Sequence, residues 1–262
     1  MLAAALGVLI MSLAATTTAP SVAPAGFLYK TLELDGATYA YSVFVPPDYT
    51  PARKWPVVLF LHGSGERGAD GLLSTEVGIG SAIRRDFRRV PAIVVFPQCR
   101  AGQAWVVSPQ DIGPMGRLAL ASLDAAMRDY STDPERVYLT GLSLGGQGAW
   151  WLAINDPRRW AAVVPVCGFL EDKDRPSQML ALLTEHLRDV PVWVVHGEKD
   201  PVVPVERSRE AVAALRAAGA PVRYVELPGV GHNAWDKGYA DAALWTWLFE
   251  QRRAPATRPA EP

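Results

Sequence analysis

The sequence predicts an α/β fold: a mostly parallel open sheet, opened by one antiparallel hairpin and covered by helices on both faces. Three observations carry this reading. Short apolar runs that do not alternate with polar residues recur along the chain, and such runs become strands buried on both faces. Longer stretches with apolar residues at helical spacing lie between them. A strand–helix alternation of this kind builds a parallel sheet through right-handed crossovers.

Each element has its own signal. Leu28 to Leu34 and Ala37 to Val45 flank Asp35-Gly36, the tight-turn dipeptide of a hairpin. Val57 to Leu61 is a short apolar strand that ends at His62-Gly63, and Ala92 to Phe96 is another that ends at Pro97. Val137 to Thr140 enters Gly141, followed by Ala162 to Val166, Val192 to Val195 and Val222 to Leu227. Between them, Gly116 to Tyr130 carries Leu120, Leu123, Ala126, Met127 and Tyr130 at helical spacing. Gly145 to Asn155 begins with small residues and stops before Pro157. Glu206 to Ala218 stops at Gly219, a natural C-terminal cap, and Ala240 to Arg252 closes the series.

The 262 residues suit a single domain, with no internal boundary. Leu2 to Ala15 is an apolar run, short of the roughly 20 residues that a membrane span needs. Its length and the small residues Ala23-Pro24-Ala25 before Gly26 fit a signal peptide over residues 1–25, although no Lys or Arg precedes the run. The expectation is a secreted or periplasmic protein without stable membrane insertion, its catalytic domain spanning residues 26–253. Residues 254–262, rich in Pro and Ala, are expected to be a disordered tail. A net charge of −1 gives no long-range attraction for nucleic acid, and no nucleic-acid partner is expected. The oligomeric state is not legible.

The chemistry concentrates in a few motifs. Gly141-Leu142-Ser143-Leu144-Gly145 sits between an apolar strand and a helix, the context in which G-x-S-x-G forms a sharp elbow that exposes the serine. The flanking glycines remove Cβ clashes from that turn, and the Leu144 amide falls at a helix N-terminus. A serine hydroxyl needs a base held by a third group. His196-Gly197-Glu198-Lys199-Asp200 and Gly229-Val230-Gly231-His232 each follow a strand, at the carboxyl edge where open sheets bind ligands. Ser143, Asp200 and His232 are therefore the candidate nucleophile, acid and base. The four histidines show no metal-ligand spacing, and no metal or cofactor is expected. Cys99 and Cys167, placed at the ends of different strands, fit either a bridge or two buried thiols.

Together, Leu61-His62-Gly63-Ser64-Gly65-Glu66-Arg67-Gly68, Pro97-Gln98-Cys99, the Gly141–Gly146 elbow, His196 to Pro204 and Gly231-His232-Asn233-Ala234-Trp235 resemble the α/β-hydrolase superfamily. Within it, they are similar to the small secreted esterase and predicted-peptidase group related to feruloyl esterases and prolyl oligopeptidase domains. The resemblance spans most of residues 28 to 250. It implies an α/β-hydrolase fold, Ser143 as nucleophile, Asp200 as acid and His232 as base. The turn after the Val57 strand looks like the family's second oxyanion segment, which assigns the oxyanion hole to the amides of Leu144 and Ser64, with Gly65 as the alternative. Each well-placed amide contributes roughly 3–4 kcal/mol to the transition state.

Of nine tryptophans, Trp105 and Trp235 lie on loops near these motifs and are candidates to line an acyl or aromatic pocket. Trp150, Trp151, Trp245 and Trp247 read as core. Between Cys167 and Val190 there is space for one short helix, Ser177 to Leu187, and for no large cap domain. The reading is a serine hydrolase that cleaves small-molecule or polymer-attached carboxylic esters through an acyl-enzyme. The rivals are a prolyl-oligopeptidase-type peptidase with the same residues and a catalytically silent binding protein.

Overall fold

The computed structural model describes residues 24–108, 111–170 and 176–253. The expected signal peptide lies outside them except for its last two residues, and the expected tail lies outside them entirely. Among the described residues, no helix is long and apolar enough to cross a membrane.

Eight strands form one sheet in the order β1-β2-β4-β3-β5-β6-β7-β8. β1 (Gly26–Leu34) and β2 (Ala37–Val45) make the expected hairpin. Asp35 and Gly36 both take positive φ at its turn, the primed-turn backbone that suits two-residue hairpins. β2 pairs antiparallel with β4 (Ile93–Pro97). From there on, β3 (Trp55–Leu61), β5 (Thr132–Leu142), β6 (Ala162–Val166), β7 (Val192–Gly197) and β8 (Val222–Leu227) run parallel. The chain passes from β3 to β4 on one side and crosses back to β5 on the other. That reversal leaves a crevice at the carboxyl ends of β3 and β5, where open sheets take ligands.

The continuous apolar strands are buried on both faces. One face packs under α2 (Gly113–Asp129), α3 (Leu144–Asn155), α4 (Pro176–Leu187) and α5 (Glu206–Ala217), around Trp55, Trp105, Trp150, Trp151 and Trp160. The other packs under α1 (Ile79–Arg85), α6 (Trp235–Gly238) and α7 (Ala242–Glu250), around Phe44, Phe60, Phe96, Trp193, Trp245 and Trp247. The four tryptophans read as core are buried.

Three differences from the sequence reading have clear causes. β5 begins five residues before the expected Val137, because Thr132 pairs with Trp55 and a register shift then absorbs the Pro134 region. α2 begins at Gly113, with Pro114 at its first turn and the Asp111 carboxylate accepting the Gly113 amide. α1 was not expected. Two glycines, Gly78 and Gly80, mask its start, and burial of Ile79, Ala82 and Ile83 supplies the stability that local propensity lacks.

Candidate active site

The elbow follows from what its residues lack. Ser143 caps α3 with φ 53° and ψ −117°, a conformation that costs a side-chain-bearing residue about 1–3 kcal/mol. It is held there by its amide, which donates to the Val166 carbonyl, and by its carbonyl, which accepts from Gln147. A Cβ at Gly145 would overlap the Leu61 and His62 carbonyl oxygens, and one at Gly141 would overlap the Gly145 carbonyl. Glycine is required at both positions because backbone touches backbone.

Two loops on the far side of the sheet bring the partners in. Asp200 lies just past β7, and its Oδ1 accepts the amides of Val202 at 2.8 Å and Val203 at 2.9 Å. Its Oδ2 accepts from His232 Nδ1 at 2.7 Å, and His232 Nε2 lies 2.9 Å from Ser143 Oγ. With Nδ1 donating, Nε2 is the acceptor for the serine hydroxyl. Burial alone pushes the Asp200 carboxyl up, but the His232 hydrogen bond and the two amides outweigh it and hold the group below the usual carboxylate range. The Asp200 side chain is sealed from solvent, whereas His232 is 19% exposed. The ionised Asp200 carboxylate therefore sits behind the His232 ring, and the more exposed face of that ring is the one towards Ser143.

The two competing carboxylates, Glu226 and Glu198, are committed elsewhere. Glu226 is paired with Arg209 and bonded by Tyr224, and the Arg209 guanidinium holds its carboxyl down at about 2. Glu198 accepts the Gly229 amide at 2.7 Å.

Across the crevice, His62 follows β3 and is fully buried. Its Nδ1 donates to the Gly63 carbonyl at 2.6 Å, and its Nε2 accepts the Cys99 amide at 3.0 Å. Burial pushes its pKa down to about 4, so the ring is a neutral staple between the turn after β3 and the loop after β4. That turn continues as the 3-10 turn Ser64–Glu66. Gly63 faces the elbow: a Cβ built on it would lie 3.7 Å from the Ser143 Cβ. Ser64, the next residue, is exposed at the crevice, and the Leu144 amide opens α3 among the donors that a helix leaves free in its first turn.

The two candidate tryptophans part company. Trp235 is half-buried with its ring edge-on to His232, centroids 5.2 Å apart. Trp105 has no exposed surface: its indole donates to the His62 carbonyl at 2.9 Å and its ring packs on the imidazole. The expectation that Trp105 lines a pocket is therefore corrected, since it braces the turn from behind. Its Trp-after-loop signal fits both roles, and only burial separates them.

Sequence reasoning gave no role to Cys167 or to His196. Cys167 is buried with φ 47°, its thiol donates to the His232 carbonyl at 3.3 Å, and burial with the nearby Asp200 charge pushes it up to about 12. Cys99 and Cys167 are both free thiols. The Cys167 thiol, the Asp200 carboxylate and the His232 ring lie within 4.8 Å of one another, a donor set near enough for a soft cation, but two of its members are already bonded to each other. No spacing in the sequence signals this cluster.

The family described as Phospholipase/Carboxylesterase matches residues 120–246. A solved thermostable esterase matches this chain with 34% identity and a TM-score of 0.72, over 87% of this chain and 63% of that one. The chain has the α/β-hydrolase fold. Esterase LipQ of Mycobacterium tuberculosis is 28% identical over 236 residues, covering 72% of this chain and 52% of that protein. A feruloyl esterase module from Clostridium thermocellum, solved with sinapinate, superposes with a TM-score of 0.68 over 88% of this chain and 90% of its own. At 18% identity that likeness is one of fold. The chain spans 24%, 43% and 52% of the first three curated relatives that it matches.

Proposed function

We propose that this α/β-hydrolase is a serine esterase that cleaves carboxylic esters through an acyl-enzyme. The observation that carries the reading is the line Ser143–His232–Asp200, hydrogen-bonded at 2.9 and 2.7 Å. In this reading Ser143 Oγ attacks the ester carbonyl while His232 Nε2 takes its proton, and Asp200 stabilises the imidazolium that forms. His232 then protonates the departing alkoxide, and water repeats the sequence on the acyl-serine. The amides of Leu144 and Ser64 receive the oxyanion. Trp235, edge-on to His232, supplies apolar surface to the acyl or leaving group. The short α4 in place of a cap domain suits small-molecule and polymer-attached esters alike.

The test is a hydrolysis panel of short- and long-chain p-nitrophenyl esters, feruloyl esters and aminoacyl amides, with fluorophosphonate labelling of the same preparation. Turnover of esters without amides, and covalent labelling at Ser143, is the expected result. Amide turnover at a comparable rate selects the peptidase, and absence of both turnover and labelling selects the binding protein. We also propose export, on the strength of the apolar run Leu2 to Ala15 and the small residues before Gly26. N-terminal sequencing of the protein from its native host is expected to begin near Gly26, and a cytoplasmic chain beginning at Met1 overturns this.

A further inference from the structure

A second buried histidine touches the same carboxylate. His196 lies in β7 with no exposed surface, and its Nε2 is 3.0 Å from the Val203 carbonyl and 3.2 Å from Asp200 Oδ2. Its Nδ1 is 2.7 Å from the hydroxyl of Ser208, itself buried on α5. We propose that His196 is a positioning residue for the reaction, holding the Asp200 carboxylate from behind through a hydrogen-bonded line that ends on Ser208. This rests on the esterase reading above.

The donors follow from the partners. A carbonyl and a carboxylate only accept, so the proton near Val203 and Asp200 sits on Nε2. Burial, the largest influence on His196, lowers its pKa despite Val203 and Asp200, so the ring is neutral and Nδ1 is bare. The Ser208 hydroxyl therefore donates to Nδ1. The groups that face His196 are Asp200, His232 and, across β8, Glu226, and Cys167 faces Asp200 from the end of β6.

His196 acts on Asp200 twice. Its N–H shares Oδ2 with His232, and it pins the Val203 carbonyl while the amide of that residue holds Oδ1 at 2.9 Å. The ring thus meets Oδ2 directly and steadies, through Val203, one of the two amides that hold Oδ1. The catalytic chain then runs Ser143, His232, Asp200, His196, Ser208, of which only the first three have chemistry to perform.

The experiment pairs His196→Phe, which keeps a ring without donors, with His196→Gln, which keeps an N–H and a carbonyl in similar places. His196→Phe is expected to lower kcat about tenfold, the low end for loss of an outer hydrogen-bond partner, with KM unchanged. The low-field proton resonance of the His232 Nδ1–H, which reports its hydrogen bond to Asp200, is expected to move in the resting protein. His196→Gln is expected to restore both. A folded His196→Phe with wild-type kcat and an unmoved resonance overturns the proposal. So do two variants equally slow with the wild-type resonance, since His196 would then only fill space. If His196→Phe does not fold, Ser208→Ala tests the same line from its outer end. A smaller movement of the resonance with a lower kcat supports the proposal, and no movement overturns it. If the wild-type protein hydrolyses no ester, the esterase reading fails, and the NMR arm still decides whether His196 holds Asp200 against His232.

Discussion

His62 and His196 stand on opposite sides of one crevice, both at the carboxyl ends of strands and both sealed from solvent. Burial depresses the proton affinity of each. Their partners differ. Both nitrogens of His62 are bonded to backbone, to the Gly63 carbonyl and the Cys99 amide, so the ring ties two loops together and ends there. His196 has a carboxylate on one nitrogen and a hydroxyl on the other, and that carboxylate continues to His232 and Ser143. Burial alone does not separate a structural histidine from one on the path of the chemistry. The nature of the next group along does.

Substitutions break or sharpen this contrast according to the side they strike. The largest effect is expected at the elbow: Ser143→Ala removes only the attacking oxygen and should lower turnover by about 10⁶ with the fold intact. A folded variant with near wild-type turnover on the best substrate removes Ser143 from its role. Asp200→Asn keeps the shape but favours the wrong His232 tautomer, and a drop of about 10⁴ at neutral pH is expected in kcat. A benign Asp200→Asn beside a crippling Glu226→Gln would move the acid to β8.

On the His62 side the damage should appear as stability. His62→Asn leaves the buried Cys99 amide unpaired, which should cost about 1–3 kcal/mol in urea unfolding at pH 7. The same histidine makes the fold acid-sensitive. Its folded pKa of about 4 lies below its ordinary value of 6.5, so below pH 6.5 the unfolded chain takes up a proton that the folded chain refuses. Stability present at neutral pH is therefore lost as pH falls from 6.5 towards 4, by about 3 kcal/mol from this group. Urea midpoints across that window should fall less steeply in His62→Asn than in the wild-type protein, and parallel slopes refute the assignment. The smallest effect is expected at Glu226, whose pairing with Arg209 is a surface one. Glu226→Gln should leave turnover unchanged and cost no more than about 1 kcal/mol.

The fold was legible because each strand signals itself locally. The Asp35-Gly36 turn, the unalternating runs and the strand–helix alternation all require a parallel sheet with buried faces. The elbow was equally legible, since Gly141 and Gly145 are the residues that close backbone packing around Ser143 demands. The α1 helix was hidden because its stability comes from the buried contacts of Ile79 and Ile83 and not from local helix propensity. Trp105 was read as an open wall because a loop tryptophan gives the same signal whether it faces the crevice or, as here, lies against His62.

What the sequence determined by itself is the class of the fold and the three candidate residues, Ser143, Asp200 and His232, that the structure brings within hydrogen-bonding distance, because turns, periodicity and glycine requirements act between near neighbours. What only the tertiary structure decided is which groups stand behind them. Cys167 and His196 reach Asp200 from two different strands, and Ser208 reaches His196 from α5. His196 and Asp200 are four residues apart and Ser208 follows twelve residues after His196, but only the fold of β7 into α5 turns the three side chains together, and Cys167 comes from a distant strand end. The Cys167 approach arises because β6 and β7 lie side by side in the sheet, and the others because the loop after β7 folds back on that strand, and hydrogen bonding in a buried site depends on both.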